Sequence, residues 1–268
     1  DVDGDGYPDI LISNGHEDGY RTNAGAAALF LGKNLATESY YTADFLFHGD
    51  GDSDHLGRWG HSIAIDGDIN GDGRDDILLS LTHDDRSHGD AGSIAYIDAT
   101  ALDEPGYVHN LVYEPFLLAE NPYDYGARTV AYAGDVDGDD KGDVVIAAHQ
   151  AGEGEEGWVF LTAGAHAETS RHLWDNGGHT WVFQGEEDGD FAGYSVASNG
   201  DFDGDGQTDL LIGAPYNDET DSEAGRVYLF SGEDISALSK TAYHPVDDST
   251  HHFAGEARYD QLGHSVAF

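Results

Sequence analysis

The chain contains no cysteine and no methionine. Without cysteine there can be no disulfide, no thiolate metal site and no thiol nucleophile. Basic residues are scarce as well: 11 Lys and Arg stand against 53 Asp and Glu, a formal charge of −42. A surface this negative repels phosphate backbones and anionic lipid, so nucleic acid is not expected as a partner. No apolar run approaches the roughly 20 residues of a membrane-spanning helix, so direct membrane insertion is not expected either. Long stretches of helical periodicity are also rare; Ala165–Trp174 and Asp234–Lys240 suit single helical turns at most. What remains, a 39% hydrophobic share, is enough to build a core. The chain opens directly inside a motif, so a leader and further repeats are expected outside it.

The motif recurs. Asp1-Val-Asp-Gly-Asp-Gly-Tyr-Pro-Asp9 is followed by Ile-Leu-Ile-Ser, and Asp68-Ile-Asn-Gly-Asp-Gly-Arg-Asp-Asp76 by Ile-Leu-Leu-Ser. Asp135-Val-Asp-Gly-Asp-Asp-Lys-Gly-Asp143 precedes Val-Val-Ile-Ala, and Asp201-Phe-Asp-Gly-Asp-Gly-Gln-Thr-Asp209 precedes Leu-Leu-Ile-Gly. The starts lie 67, 67 and 66 residues apart, which divides the chain into repeats 1–67, 68–134, 135–200 and 201–268. Apolar runs keep the same phase. Before the loops stand His61–Ile65, Arg128–Tyr132 and Tyr194–Ser198, with His264–Phe268 where a fifth loop would be due. After them come Ala27–Leu31, Ser93–Ile97, Trp158–Leu161 and Arg226–Phe230, then a weaker fourth set at Ala43–Phe47, Asn110–Tyr113, Thr180–Phe183 and His251–Ala254. Four short runs per repeat, rich in branched and aromatic residues and bounded by Gly and Asp, read as β-strands. The expected fold is all-β, a β-propeller of four-stranded antiparallel blades that forms part of a larger propeller or repeat array. The fourth run alternates more with polar residues, as an outer edge strand should.

Within each acidic loop, oxygen-bearing side chains fall at the odd positions. They are Asp1, Asp3, Asp5 and Asp9; Asp68, Asn70, Asp72 and Asp76; Asp135, Asp137, Asp139 and Asp143; and Asp201, Asp203, Asp205 and Asp209. Tyr7, Arg74, Lys141 and Gln207 would add a backbone carbonyl at position 7. Calcium takes six to eight hard oxygens, and odd spacing in a tight turn points such groups inward. Two carboxylates about 4 Å apart repel by roughly 4 kcal/mol at an effective dielectric of 20, so the cluster calls for a cation. Calcium, about four ions, is therefore the expected cofactor. Position 6 is Gly6, Gly73 and Gly206 but Asp140 in the third loop, where Asp must take a left-handed backbone. An EF-hand does not fit: its position 12 needs Glu, and here stand Ile12, Leu79, Ile146 and Ile212.

These residues resemble the FG-GAP repeats of integrin α-subunit β-propellers. The fourth copy carries the fullest match, Phe191-Ala-Gly-Tyr-Ser-Val-Ala197, Gly200–Gly206 and Asp209-Leu-Leu-Ile-Gly-Ala-Pro215. The second has Leu56-Gly-Arg-Trp-Gly-His-Ser-Ile-Ala64, and the third departs most, with Tyr125-Gly-Ala-Arg-Thr-Val-Ala131 and no Gly-Ala-Pro. The resemblance implies calcium in the hairpin between the first two strands of each blade, and ligands at the opposite face. Family propellers commonly have seven blades. Four could close alone only if Gly263–Phe268 paired beside Pro8–Ser13.

The opposite face would be built from two sets of loops. One comprises Asn14–Gly25, Thr82–Gly92, His149–Gly157 and Tyr216–Gly225; the other His48–Gly57, Ala119–Gly126, Gly185–Gly193 and Gly255–Gly263. They vary between copies more than the strands do, as a recognition surface on a constant scaffold would. Tyr20, Trp59, Tyr123, Tyr125, Tyr194 and Tyr216 offer aromatic faces there, and Asp50, Asp52 and Asp54 offer a further acidic loop that lacks an acid at its ninth position, Arg58. His251, His252, His83 and His88 read as solvated. No nucleophile elbow or compact zinc-ligand spacing occurs, so no enzyme activity is expected. The resulting expectation is an extracellular module, secreted or at the cell surface, that mediates adhesion or binds a protein ligand. The alternatives are a self-associating subunit of an extracellular fibre, and a glycan-binding or polysaccharide-active propeller.

Overall fold

The computed structural model describes residues 1–18, 21–34, 42–49, 51–58, 62–85, 89–102, 107–110, 117–118, 126–164, 180–240 and 242–268. Its strands are β1 (Ile10–Asn14), β2 (Ala26–Phe30), β3 (Phe45–His48), β4 (Ile63–Gly67), β5 (Asp76–Leu81), β6 (Ser93–Ile97), β7 (Tyr107–Asn110) and β8 (Leu117–Leu118). They continue with β9 (Thr129–Gly134), β10 (Asp143–Ala148), β11 (Trp158–Thr162), β12 (Thr180–Gln184), β13 (Ser195–Gly200), β14 (Asp209–Ala214), β15 (Arg226–Phe230), β16 (Tyr243–Pro245) and β17 (His251–Ala254). A short α-helix, α1 (Gly232–Ala237), interrupts this pattern, and Ser231 caps it by accepting from Asp234 N.

The strands form four sheets, ordered β1-β2-β3-β7, β4-β5-β6-β8, β9-β10-β11-β12-β16 and β13-β14-β15-β17. Consecutive strands within a repeat pair antiparallel, as in β10 with β9 and β11. The sheets are propeller blades. Strand alternation explains how they stack. In β10, Val144 and Ile146 pack into the core shared with β5 and β6 of the second sheet. Their neighbours Val145 and Ala147 turn to the core shared with β14 and β15 of the fourth. A third core joins the first two sheets around Leu29, Phe47, Ile77 and Leu79. Because both faces of an inner strand meet a neighbouring blade, β5 and β10 are buried throughout. All four sheets border one central hollow of about 520 Å³, lined by residues of β1, β4, β9 and β13 among others.

One joint recurs between blades. Leu56 N donates to Ala24 O, Gly126 N to Ala91 O, Ala192 N to Glu156 O and Leu262 N to Ala224 O, at 2.7–2.9 Å. A serine on the inner strands reinforces it: Ser13 Oγ donates to Gly57 O and Ser195 Oγ to Gly263 O, both at 2.8 Å, and Ser80 Oγ bonds Ala127 O. The segment from Leu262 thus lies against the fourth sheet as the segment before β4 lies against the first. Gly263–Phe268 does not pair beside Pro8–Ser13, and among the described residues β1 is bonded to β2 alone. The four blades do not close a ring by that pairing.

Three expectations need correction. The fourth strand of the second blade is β8, not Asn110–Tyr113; Asn110 ends β7, which runs parallel to β3 in the first sheet, and residues 111–113 lie outside the described ones. The fourth strands are also not uniformly polar edges. β3 and β12 are mostly buried because β7 and β16 add a parallel strand outside them, whereas β17, with no such cover, is exposed at every residue. Finally, His264–Phe268 forms no strand. Of the two predicted helical turns, α1 covers part of Asp234–Lys240, and Ala165–Trp174 lies outside the described residues.

Gly157 shows how tight the joints are. Its φ is +87°, and a Cβ there would stand 2.2 Å from Ala192 O. Gly157→Ala should therefore destabilise the protein by roughly 2 kcal/mol or more, read as a lower denaturant midpoint.

Candidate metal centre

Each acidic loop joins the first and second strands of a blade, or in the first blade leads into β1, so the four lie at one end of the inner strands. Their hydrogen-bond skeleton repeats. The position 1 carboxylate accepts from the N–H of position 6: Gly6 to Asp1 at 2.8 Å, Gly73 to Asp68 at 2.6 Å, Asp140 to Asp135 at 2.9 Å and Gly206 to Asp201 at 3.0 Å. Asp140 makes this bond with φ +65°, beside +88°, +90° and +87° for the three glycines, so the Asp fills the left-handed position as expected. The position 5 carboxylate accepts from the N–H of position 7, joining Tyr7 to Asp5, Arg74 to Asp72, Lys141 to Asp139 and Gln207 to Asp205.

Position 9 does more than the spacing conveys. One oxygen of Asp9, Asp76, Asp143 and Asp209 accepts from the position 2 N–H, of Val2, Ile69, Val136 and Phe202 respectively. The other accepts from the chain just past the third strand: Gly32 N at 2.8 Å, Ala99 N at 3.1 Å, Gly164 N at 2.8 Å and Gly232 N at 2.9 Å. This aspartate ties loop, second strand and third strand together. Asp76, Asp143 and Asp209 are buried. Burial pushes the Asp143 carboxyl up to about 7 and that of Asp76 up to about 6, against the pull of those N–H donors.

Three loops gather carboxylates closely. Asp1, Asp3 and Asp5, then Asp135, Asp137 and Asp143, then Asp201, Asp203 and Asp209 each bring one oxygen apiece within 4.8 Å of the others. The second loop differs because Asn70 stands at position 3, and its amide donates to Asp72 at 3.1 Å. Convergent hard oxygens of this kind suit a hard divalent cation rather than a soft or imidazole-loving one.

Among the described residues the extra acidic loop forms no acidic cluster. Asp54 is buried and accepts from Gly51 N at 2.7 Å, Asp52 accepts from Thr22 N, and Asp50 lies outside the described residues. The same brace recurs as Asp190 accepting from Glu187 N and Asp260 from Ala257 N. Its signature, Gly49, Gly185 and Gly255 each followed five residues later by Asp, is legible in the sequence.

At the other end the two loop sets bond each other. Ser53 N donates to Thr22 O, Gly189 N to Gly154 O and Tyr259 N to Ser222 O. On this rim Phe191 and Tyr194 both pack edge-on against Tyr216, and the Arg128 guanidinium lies 4.1 Å over the Tyr194 ring. Tyr20, Trp59, Tyr123 and Tyr125 lie outside the described residues, as does His88. His83 is half-buried rather than solvated, its ring 4.9 Å from that of His55, and burial lowers its pKa. His251 and His252 are exposed. Arg226, buried, holds Glu186 at 2.9 Å, and Asn217 donates to Asp190 at 2.7 Å.

Residues 1–30 and 192–230 match the FG-GAP repeat family model. Integrin alpha-5 of Xenopus laevis is 27% identical over 199 residues, 70% of this chain and 17% of the relative. Integrin alpha pat-2 of Caenorhabditis elegans is 25% identical over 234 residues, 80% of this chain and 17% of the relative. Integrin alpha-IIb of Mus musculus is 27% identical over 232 residues, 78% of this chain and 20% of the relative. The four sheets are β-propeller blades, and two stretches of the chain are similar to the FG-GAP repeat. The chain is a distant relative of integrin α subunits and spans a fifth or less of the length of these relatives.

Two outcomes follow from the clamps. Asp209→Ala leaves the Phe202 and Gly232 N–H groups without their acceptor and should cost roughly 2–5 kcal/mol in denaturant unfolding, with Asp209→Asn losing less. Burial raises the Asp190 carboxyl to about 6 in the folded chain. A raised folded pKa stabilises most below the unfolded value, and that contribution is lost as pH rises through about 6. Asp190→Asn should flatten the stability profile between about pH 4 and 6.

Proposed function

We propose that this chain is a calcium-stabilised segment of an extracellular β-propeller that binds a protein ligand for adhesion and catalyses no reaction. In this reading the four loops each take one calcium ion, through Asp1, Asp3, Asp5 and Asp9 and their counterparts in the other repeats, with the carbonyl of Tyr7, Arg74, Lys141 or Gln207. The observation that carries it is the recurrence of one loop skeleton in all four blades, with carboxylates converging in three. Turn formation alone would not require acids to face each other. The likeness to integrin α subunits supports adhesion at the cell surface, and the variable rim opposite the loops is where a partner would dock.

Thermal melts in excess calcium and in excess chelator test it. At a calcium concentration about 100 times Kd each site adds about 2.7 kcal/mol, so the melting temperature should rise by more than about 5 °C. Equal melting temperatures would refute the calcium reading.

A further inference from the structure

Lys33, Lys141 and Lys240 are the only lysines of the chain, and all three sit at acidic loops. Lys141 is itself position 7 of the third loop. Lys33 places its ammonium 3.3 Å from Asp5 in the first, with its side chain 59% exposed. Lys240 is more firmly held. It belongs to the fourth repeat, three residues past α1, yet its Nζ lies 2.8 Å from Asp137 Oδ2 at position 3 of the third loop. The two side chains are only 23% and 17% exposed.

Both flanks of Lys240 are anchored. Leu238 packs on the core shared by the third and fourth blades. On the far side the chain crosses to the third blade, where β16 pairs with β12 and His244 Nε2 meets Ser239 O at 2.9 Å. The ammonium also lies 4.1 Å over the ring of Trp181, a residue of β12 that is 2% exposed. A cation so placed is held by a carboxylate and an aromatic face together. The fourth loop contrasts with this. Asp201, Asp203 and Asp209 converge in the same way, but position 7 is Gln207, and among the described residues no lysine reaches it.

We propose that Lys240 is a tethered counter-cation of the third loop, occupying Asp137 until a divalent ion displaces it. The inference rests on the calcium reading above. A calcium ion bound through Asp137 and the Lys240 ammonium would share one carboxylate, and the two cations repel, so each weakens the hold of the other. The third loop then binds calcium more weakly than the fourth and fills later. Its filling releases the Lys240 side chain from the loop, while the flanking segment stays anchored. The loop's acids would report calcium concentration as well as stabilise a hairpin.

Calcium calorimetry of the metal-stripped chain and of Lys240→Met, with tryptophan emission followed in the same titrations, tests this. In the parent chain a late calcium step should alter tryptophan emission as the ammonium leaves the Trp181 ring. Lys240→Met should tighten one site by roughly tenfold and lose that optical step, while Lys240→Arg stays near the parent. Asp137→Asn adds an independent arm: before calcium is added, its emission should already resemble the calcium end state of the parent. Unchanged or weaker binding in Lys240→Met, with the optical step retained, overturns the role of Lys240 and leaves the calcium reading standing. No calcium binding in any of these proteins overturns that reading, and this inference with it.

Discussion

The structure depends on a carboxylate placed where a β-hairpin turns back on itself. Position 9 of each loop puts an aspartate at the first residue of a second strand, or one residue before it. There its two oxygens take N–H groups from two different stretches of chain. Four of those groups are buried, and each would cost free energy if left without an acceptor. The same carboxylate is expensive to bury ionised, which is why Asp76 and Asp143 have raised pKa values. The second and third loops therefore hold a group the fold needs and a charge the fold resists. Neighbouring acids at positions 1, 3 and 5 sharpen the conflict, and the divalent ion proposed for these loops would resolve it.

Stacking of blades propagates this local constraint. β10 shows it most simply: alternate residues enter the cores on either side, so one strand is shared between two interfaces. A loop that positions β10 thus affects three blades. The joint from Leu56, Gly126, Ala192 and Leu262 fixes the spacing at the opposite end, where side chains are free to vary. Rigid inner strands with a variable rim are the arrangement expected of a recognition module.

Much of this could be read from sequence. The second and third strands are apolar runs in a fixed place after an acidic loop, and Ser93–Ile97 and Arg226–Phe230 form where expected. The left-handed Asp140 was legible because few residues other than Gly, Asn and Asp tolerate that backbone. The misses came from non-local pairing. Whether Asn110 ends a fourth strand or a parallel strand on the previous blade is decided by what lies beside β3, not by local periodicity. The burial of His83 depends on His55 from a different loop. The clamp at position 9 was hidden for another reason, since an aspartate in a turn looks the same whether it faces a metal or two amides. Lys240 is remote in sequence from the loop it serves.

Amide hydrogen exchange of the intact chain, with and without calcium, bears most directly on the central claim. The amides of Gly6, Gly73, Asp140 and Gly206, together with β5, β10 and β14, should slow markedly when calcium is present. Exchange at these positions that is identical with and without the ion would contradict the account.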